Sequence, residues 1–95
     1  MHHSTMQNYE IEHASVLDEA NDIYKKKSQV RGQLWLETSV EAELLAIQQK
    51  MMRAGHALSN GLEHEHLMDE FLDSCFDSIN FLAFAVKKAR RGILR

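Results

Sequence analysis

The chain has 95 residues, with 14 acidic and 11 basic side chains, a net charge of −3, 44% hydrophobic residues and 26% charged. These values fit one small globular domain, and the mixing of both charge signs argues against a general nucleic-acid or membrane-surface binder. No apolar run approaches the roughly 18 residues needed to cross a bilayer.

The opening, Met1-His2-His3-Ser4-Thr5, lacks the basic-then-apolar order of a secretory signal. The lone cysteine, Cys75, can form no internal disulfide, so the expected setting is a reducing cytoplasm. Zinc-type ligand spacing is missing.

There are no prolines and only four glycines, a pattern of an all-α chain with few, readable breaks. Residues 1–7 read as an N-terminal tail and 8–92 as a single helical domain. The first helix is expected from Asn8 to Lys27, with Met6, Tyr9, His13, Leu17, Ala20 and Tyr24 along its apolar stripe and Val16 and Ile23 beside it. Lys25-Lys26-Lys27 falls at its C-terminal end, where the helix dipole favours cations. The plainer reading of this run is a solvated helix end, and the functional one is a phosphate clamp. Ser28–Leu36 reads as a connection punctuated by Gly32, with Leu34 and Trp35 expected to fold back onto the core. Thr38 or Ser39 is the expected N-cap of the next helix.

The second helix is expected from Val40 to Leu58. Val40, Leu44, Ile47, Met51 and Leu58 form one apolar stripe, and Leu45 and Met52 lie on another side. Two apolar sides imply two partners, one inside the domain and one from another subunit. Ser59-Asn60-Gly61 ends this helix with ordinary turn chemistry. The third helix begins at Leu62 or Glu65 and ends at Arg91, with Gly92 as its stop and Lys87, Lys88, Arg90 and Arg91 complementing the dipole.

The third helix carries the most informative stretch, Leu67–Val86. At about 100° per residue, Asp69, Glu70, Asp73, Asp77 and Asn80 share one stripe, with His66 at its upstream end. Leu67, Met68, Phe71, Leu72, Cys75, Ile79, Leu82 and Val86 make the opposite, core-facing side. Phe76, Phe81 and Phe84 flank or continue the acidic stripe, so the later half is apolar nearly all round, and such a helix is normally buried. Asp77 and Asn80 would then be enclosed, where an unpaired carboxylate is costly. A metal ion or a basic partner would remove that cost.

Glu70, Asp73 and Asp77 lie within two helical turns and project oxygens to one side, a donor set suited to Mg²⁺ or Mn²⁺ rather than zinc. Such an acidic stripe binds nucleotides through the metal, and Lys50 and Arg53 on the neighbouring helix would meet phosphate. The plainer reading is a set of surface acids paired with lysines. His64 and His66, two residues apart, do not face together on a helix. Ser74 and Ser78 lack an evident His–acid pair, and Cys75 falls on the core face, so covalent catalysis has no support. No Gly-rich phosphate loop occurs.

Three blocks, Arg31-Gly32-x-x-Trp35, Ile47-x-x-Lys50-x-x-Arg53 and Asp73-x-x-x-Asp77-x-x-Asn80-Phe81, resemble the nucleotide-modification-associated domain often found in phages. That domain is similar to the MazG-like all-α nucleoside triphosphate pyrophosphohydrolases. The resemblance covers roughly Tyr24–Val86. It implies an antiparallel bundle of three to four helices completed by a second subunit, as a homodimer or homotetramer. It also implies Mg²⁺-dependent cleavage of a nucleoside triphosphate to monophosphate and pyrophosphate. Carried over by position, Glu70, Asp73 and Asp77 would hold the metal. Asn80 would orient either a carboxylate or the nucleotide, Lys50 and Arg53 would meet phosphate, and Trp35 would line the base pocket. The general base would come from Glu43, Glu70 and Asp73. The chain departs from the MazG-like pattern at the second helix, where Ala46 stands in place of the second Glu of a Glu-x-x-Glu pair. It also has Gln29-Val30-Arg31-Gly32 where the phage domain has Asp-Tyr-Gly.

The expectation is a cytoplasmic, homo-oligomeric, Mg²⁺-dependent nucleotide pyrophosphohydrolase or nucleotide binder. The alternative is a non-enzymatic helical interaction protein. Asp77 and Asn80 separate the two: a nucleotide site needs them enclosed in a cleft beside Lys50, whereas an interaction protein needs them on an open face.

Overall fold

The computed structural model describes residues 2–32 and 34–93, with the side chains of 7–32 and 36–93. Three helices follow one another: α1 (His2–Arg31), α2 (Val40–Asn60) and α3 (Glu65–Arg90), with a short 3₁₀ turn at Leu34–Glu37 between the first two. No strand occurs among the described residues.

The first helix is longer at both ends than its expected span of 8–27. Nothing from His2 to Arg31 is Gly or Pro, so no residue breaks the backbone hydrogen-bond ladder. It stops at Gly32, which adopts φ +65°, a conformation that glycine enters without steric penalty. The Gly32 N–H closes the last turn on the Ser28 carbonyl at 2.8 Å. Ser28–Arg31, expected as loop, is therefore the final turn of α1. Met6, Leu34 and Trp35, which the sequence places against the core, have side chains outside the described residues.

Ser39 is the N-cap of α2: its Oγ accepts from the Ala42 N–H at 3.1 Å, satisfying one of the otherwise orphaned first-turn donors. The helix ends at Gly61, φ +105°, whose N–H returns to the Ala57 carbonyl. His64 stands at the N-cap position of α3 without a side-chain cap bond. The α3 span starts at Glu65, the later of the two expected positions.

The α2 and α3 helices form an antiparallel hairpin with the broadest contact in the molecule, while α1 crosses α3 over a much smaller area. The hairpin seam is lined by small and polar residues: Ala54 and Ala57 on α2, Ser74, Ser78 and Ala85 on α3, all buried. Small side chains let the helices approach closely. The Ser78 hydroxyl is satisfied by donating to the Ser74 carbonyl at 2.8 Å, so its burial leaves no orphaned polar atom. The apolar stripes expected to form the core are only partly covered. Leu44 is 48% exposed, Met51 43%, Leu58 60%, Leu72 43%, Leu82 50% and Val86 49%.

Two ion pairs explain which faces meet. At one end of the hairpin, Lys88 is fully buried and donates to Glu43 Oε1 at 2.6 Å. It also donates to the Thr38 hydroxyl, which in turn donates to the same Glu43 oxygen at 2.8 Å. Lys50 bonds Asp77 at 2.8 Å further along. Rotating either helix to bury its leucines would break both pairs and leave charges enclosed without partners, a penalty of several kcal/mol for each charge. Lys88, expected as a partner of the helix dipole, is also the most deeply enclosed large side chain among the described residues.

Replacing Lys88 with Ala should lower unfolding free energy by about 3–5 kcal/mol, because Glu43 is left buried without its counter-charge. Urea denaturation measures this. The double variant Lys88→Met, Glu43→Leu should recover most of the loss.

Candidate functional site

Where α1 crosses the hairpin, the three helices enclose a cleft of about 540 Å³, within the usual size range of small-molecule sites. From α1 it receives Tyr24, Lys27 and Arg31; from α2, Ala42, Glu43, Ala46 and Lys50; from α3, Asp73, Asp77, Asn80, Phe81 and Phe84. Positions 24, 27, 28 and 31 share one face of α1, and 73, 77, 80, 81 and 84 share one face of α3. Each helix therefore lends one stripe to the cleft.

Asp77 stands at the centre, only 6% exposed. Lys27 meets one carboxylate oxygen at 2.7 Å and Lys50 the other at 2.8 Å. Burial pushes the Asp77 carboxyl upward, but the hydrogen bonds and positive charges of Lys27 and Lys50 together outweigh it, holding the carboxyl below the usual aspartate value. The sequence requires a counter-charge here, and two lysines of the same chain supply it. Asn80, beside Asp77, donates to the Ala20 carbonyl of α1 at 2.9 Å.

One wall is aromatic. Tyr24 meets Phe84 edge-on with ring centroids 5.6 Å apart, and Phe81 lies 6.1 Å from Phe84. The Lys87 ammonium sits over the Tyr24 and Phe84 rings at 4.9 and 5.0 Å, close enough for cation–π attraction. The cleft therefore joins a cationic floor to an apolar rim. Lys27 and Lys50 bind Asp77, Arg31 and Asp73 also line the cleft, and Glu43 is matched by Lys88.

Of the residues singled out in the sequence, Glu43, Lys50, Asp73, Asp77 and Asn80 line this cleft. Glu70 is half-buried outside it, and Arg53 is exposed and also outside it. The Trp35 side chain lies outside the described residues. The His64 and His66 rings lie tilted to each other, 6.1 Å between centroids, away from the cleft lining. Among the described residues no group of three or more His, Cys, Asp or Glu side chains is placed to hold a metal ion. The donor chemistry agrees: both Asp77 oxygens and one Glu43 oxygen are engaged by lysines. As arranged, Asp77 offers a divalent cation no oxygen that a lysine does not already hold.

Lys27, Tyr24 and Arg31 are cleft residues that the sequence reading placed at a helix end, on a core stripe and in the connection after α1, respectively. A signal for Lys27 was available: it shares a helical face with Tyr24 and Ala20, so it points where the apolar stripe points.

Known protein families, curated proteins and solved structures include no match to this chain, so the likeness to MazG-like enzymes rests on the residue blocks that carry it.

Because the folded carboxyl of Asp77 titrates below an unfolded one, its bridge adds stability that is fully present above pH about 4, near the ordinary aspartate value. This stability is lost as pH falls through the depressed folded value. Replacing Asp77 with Asn should cost about 1–2 kcal/mol at pH 7, with the partial exposure of Lys27 holding the figure down. The melting-temperature gap between wild type and D77N should shrink below pH about 4, as thermal melts across pH 2.5 to 7 would record.

Proposed function

We propose that the cleft binds a nucleotide, its phosphates on Lys27, Lys50 and Arg31 and its base against the Tyr24–Phe81–Phe84 wall. The observation that carries this reading is the enclosure of Asp77 and Asn80 beside Lys50. An open acidic face, which an interaction protein would present, is not what these residues form. The chemistry is matched part by part. Lysine and arginine bind phosphate through charge-assisted hydrogen bonds, aromatic rings stack on bases, and the volume admits a ligand of this size.

The resemblance to MazG-like enzymes supports the same ligand class and adds hydrolysis to monophosphate and pyrophosphate with Mg²⁺ or Mn²⁺. The present pairing of the carboxylates favours binding over hydrolysis, since a cation would have to displace lysines from Asp77 or Glu43. Nucleotide binding without turnover is therefore the reading that geometry favours, and pyrophosphohydrolase activity is its enzymatic extension.

Calorimetric titration with nucleoside and deoxynucleoside triphosphates, with and without Mg²⁺ and with pyrophosphate release followed in parallel, tests both. Binding should occur without Mg²⁺. Lys50→Ala and Lys27→Ala should each weaken it roughly 10- to 100-fold, the loss of one charge-assisted phosphate contact. Mg²⁺-dependent pyrophosphate release would establish the enzyme. Absence of binding for every nucleotide tried would overturn the proposal and return the interaction-protein reading to the front.

A further inference from the structure

The cleft has a charge balance as well as a shape. Three cations line it, Lys27, Arg31 and Lys50, against the carboxylates of Asp73 and Asp77. Glu43 lines it too, but its charge is matched by the fully buried Lys88. The lining therefore has a surplus of one positive charge, and Lys87, over the Tyr24 and Phe84 rings, adds a second at the aromatic rim. A phosphate monoester carries about −1.5 to −2 at pH 7. One such group balances the cleft. Each further phosphoryl group brings negative charge beyond that surplus.

The position of Asp77 sharpens this limit. It lies between the two lysines, one oxygen on Lys27 at 2.7 Å and the other on Lys50 at 2.8 Å. An ammonium has three donors, so each lysine can hold Asp77 and a phosphate oxygen together. A compact monophosphate asks for no more. A longer phosphate chain laid along the same lysines would run beside a carboxylate only 6% exposed, where water screens repulsion poorly. Mg²⁺, the usual relief of such repulsion, would find both Asp77 oxygens engaged.

We infer that the cleft takes a nucleoside monophosphate in preference to the di- or triphosphate, and that Asp77 enforces this choice. The inference rests on the nucleotide reading of the cleft. It gives Asp77 a role opposite to the metal-holding one that the family resemblance implies. Instead of recruiting a cation to a long phosphate chain, the carboxylate repels the chain. Asp73, one turn earlier on the same face and exposed, acts in the same direction but more weakly, because solvent screens it.

Calorimetric titration of the full chain without Mg²⁺ tests this, using the mono-, di- and triphosphate of each common nucleoside and deoxynucleoside. Wild type should bind the monophosphate roughly 10-fold or more tightly than the triphosphate, the effect of one unrelieved like-charge contact. Asp77→Asn keeps the size and removes the charge. It should tighten triphosphate binding by roughly 10-fold and so close the gap. Asp73→Asn should narrow the gap less, and it keeps the test open if Asp77→Asn does not fold. Asp69→Asn makes the same charge change at an exposed position outside the cleft lining, and should leave the gap as it is. A wild type that binds triphosphate as tightly as monophosphate would overturn the inference while nucleotide binding stands. So would a gap that survives in a folded Asp77→Asn, or one that Asp69→Asn closes equally well. Absence of binding by every nucleotide, to wild type and to both cleft variants, would remove the nucleotide reading itself and the inference with it.

Discussion

The Asp77 carboxylate, held between a lysine of α1 and a lysine of α2, is an interaction in which all three helices take part. Asp77 itself belongs to α3, so one side chain sets the distance of both other helices from it. Its burial is tolerable only because two cations face it. The same demand rules out rotations of the hairpin that would bury more hydrocarbon. The cleft, its positive floor and the outward-facing leucines all follow from enclosing that one charge.

The second buried pair, Glu43–Lys88, acts at the open end of the hairpin. It brings Thr38 and therefore the 3₁₀ turn into the same network. The connection between α1 and α2 is thereby tied to the last turn of α3. Two polar anchors, rather than a large apolar core, define how α2 and α3 meet. Buried ion pairs of this kind fix geometry more reliably than they add stability, and the half-exposed leucines are consistent with that division.

Much of the local structure was legible in the sequence. Helices separated by Gly32 and by Asn60-Gly61, a serine cap at Ser39, and a third helix too apolar around Asp77 to leave that residue in water all follow from local rules of capping, periodicity and burial. The partners of the buried charges did not. Lys27 and Lys88 each stand near a helix C-terminus, where a cation is satisfied by the dipole and needs no further explanation. Their real partners lie 50 and 45 residues away, beyond anything a local pattern encodes. Periodicity likewise identified the apolar faces of α2 and α3 without revealing what covers them. Of the expected metal-holding residues, Glu70, Asp73 and Asp77 share a side of the helix, Asp73 and Asp77 line the cleft, and two lysines engage Asp77.

The narrow contact of α1 with the rest of the chain has a mechanical consequence. The α2–α3 hairpin is broad and anchored at two places, whereas α1 is attached through Ala20, Tyr24 and Lys27 and then bends at a glycine with open space around it. Of the bodies that bound the cleft, α1 is therefore the one that moves most cheaply. A swing of α1 about Gly32 would change the width of the cleft while leaving the opposite face of the hairpin still. A ligand bridging Lys27 and Lys50 would act as a clasp between a stiff plate and a long lever. Its grip would be felt far up the lever, near Tyr9, where no ligand atom reaches.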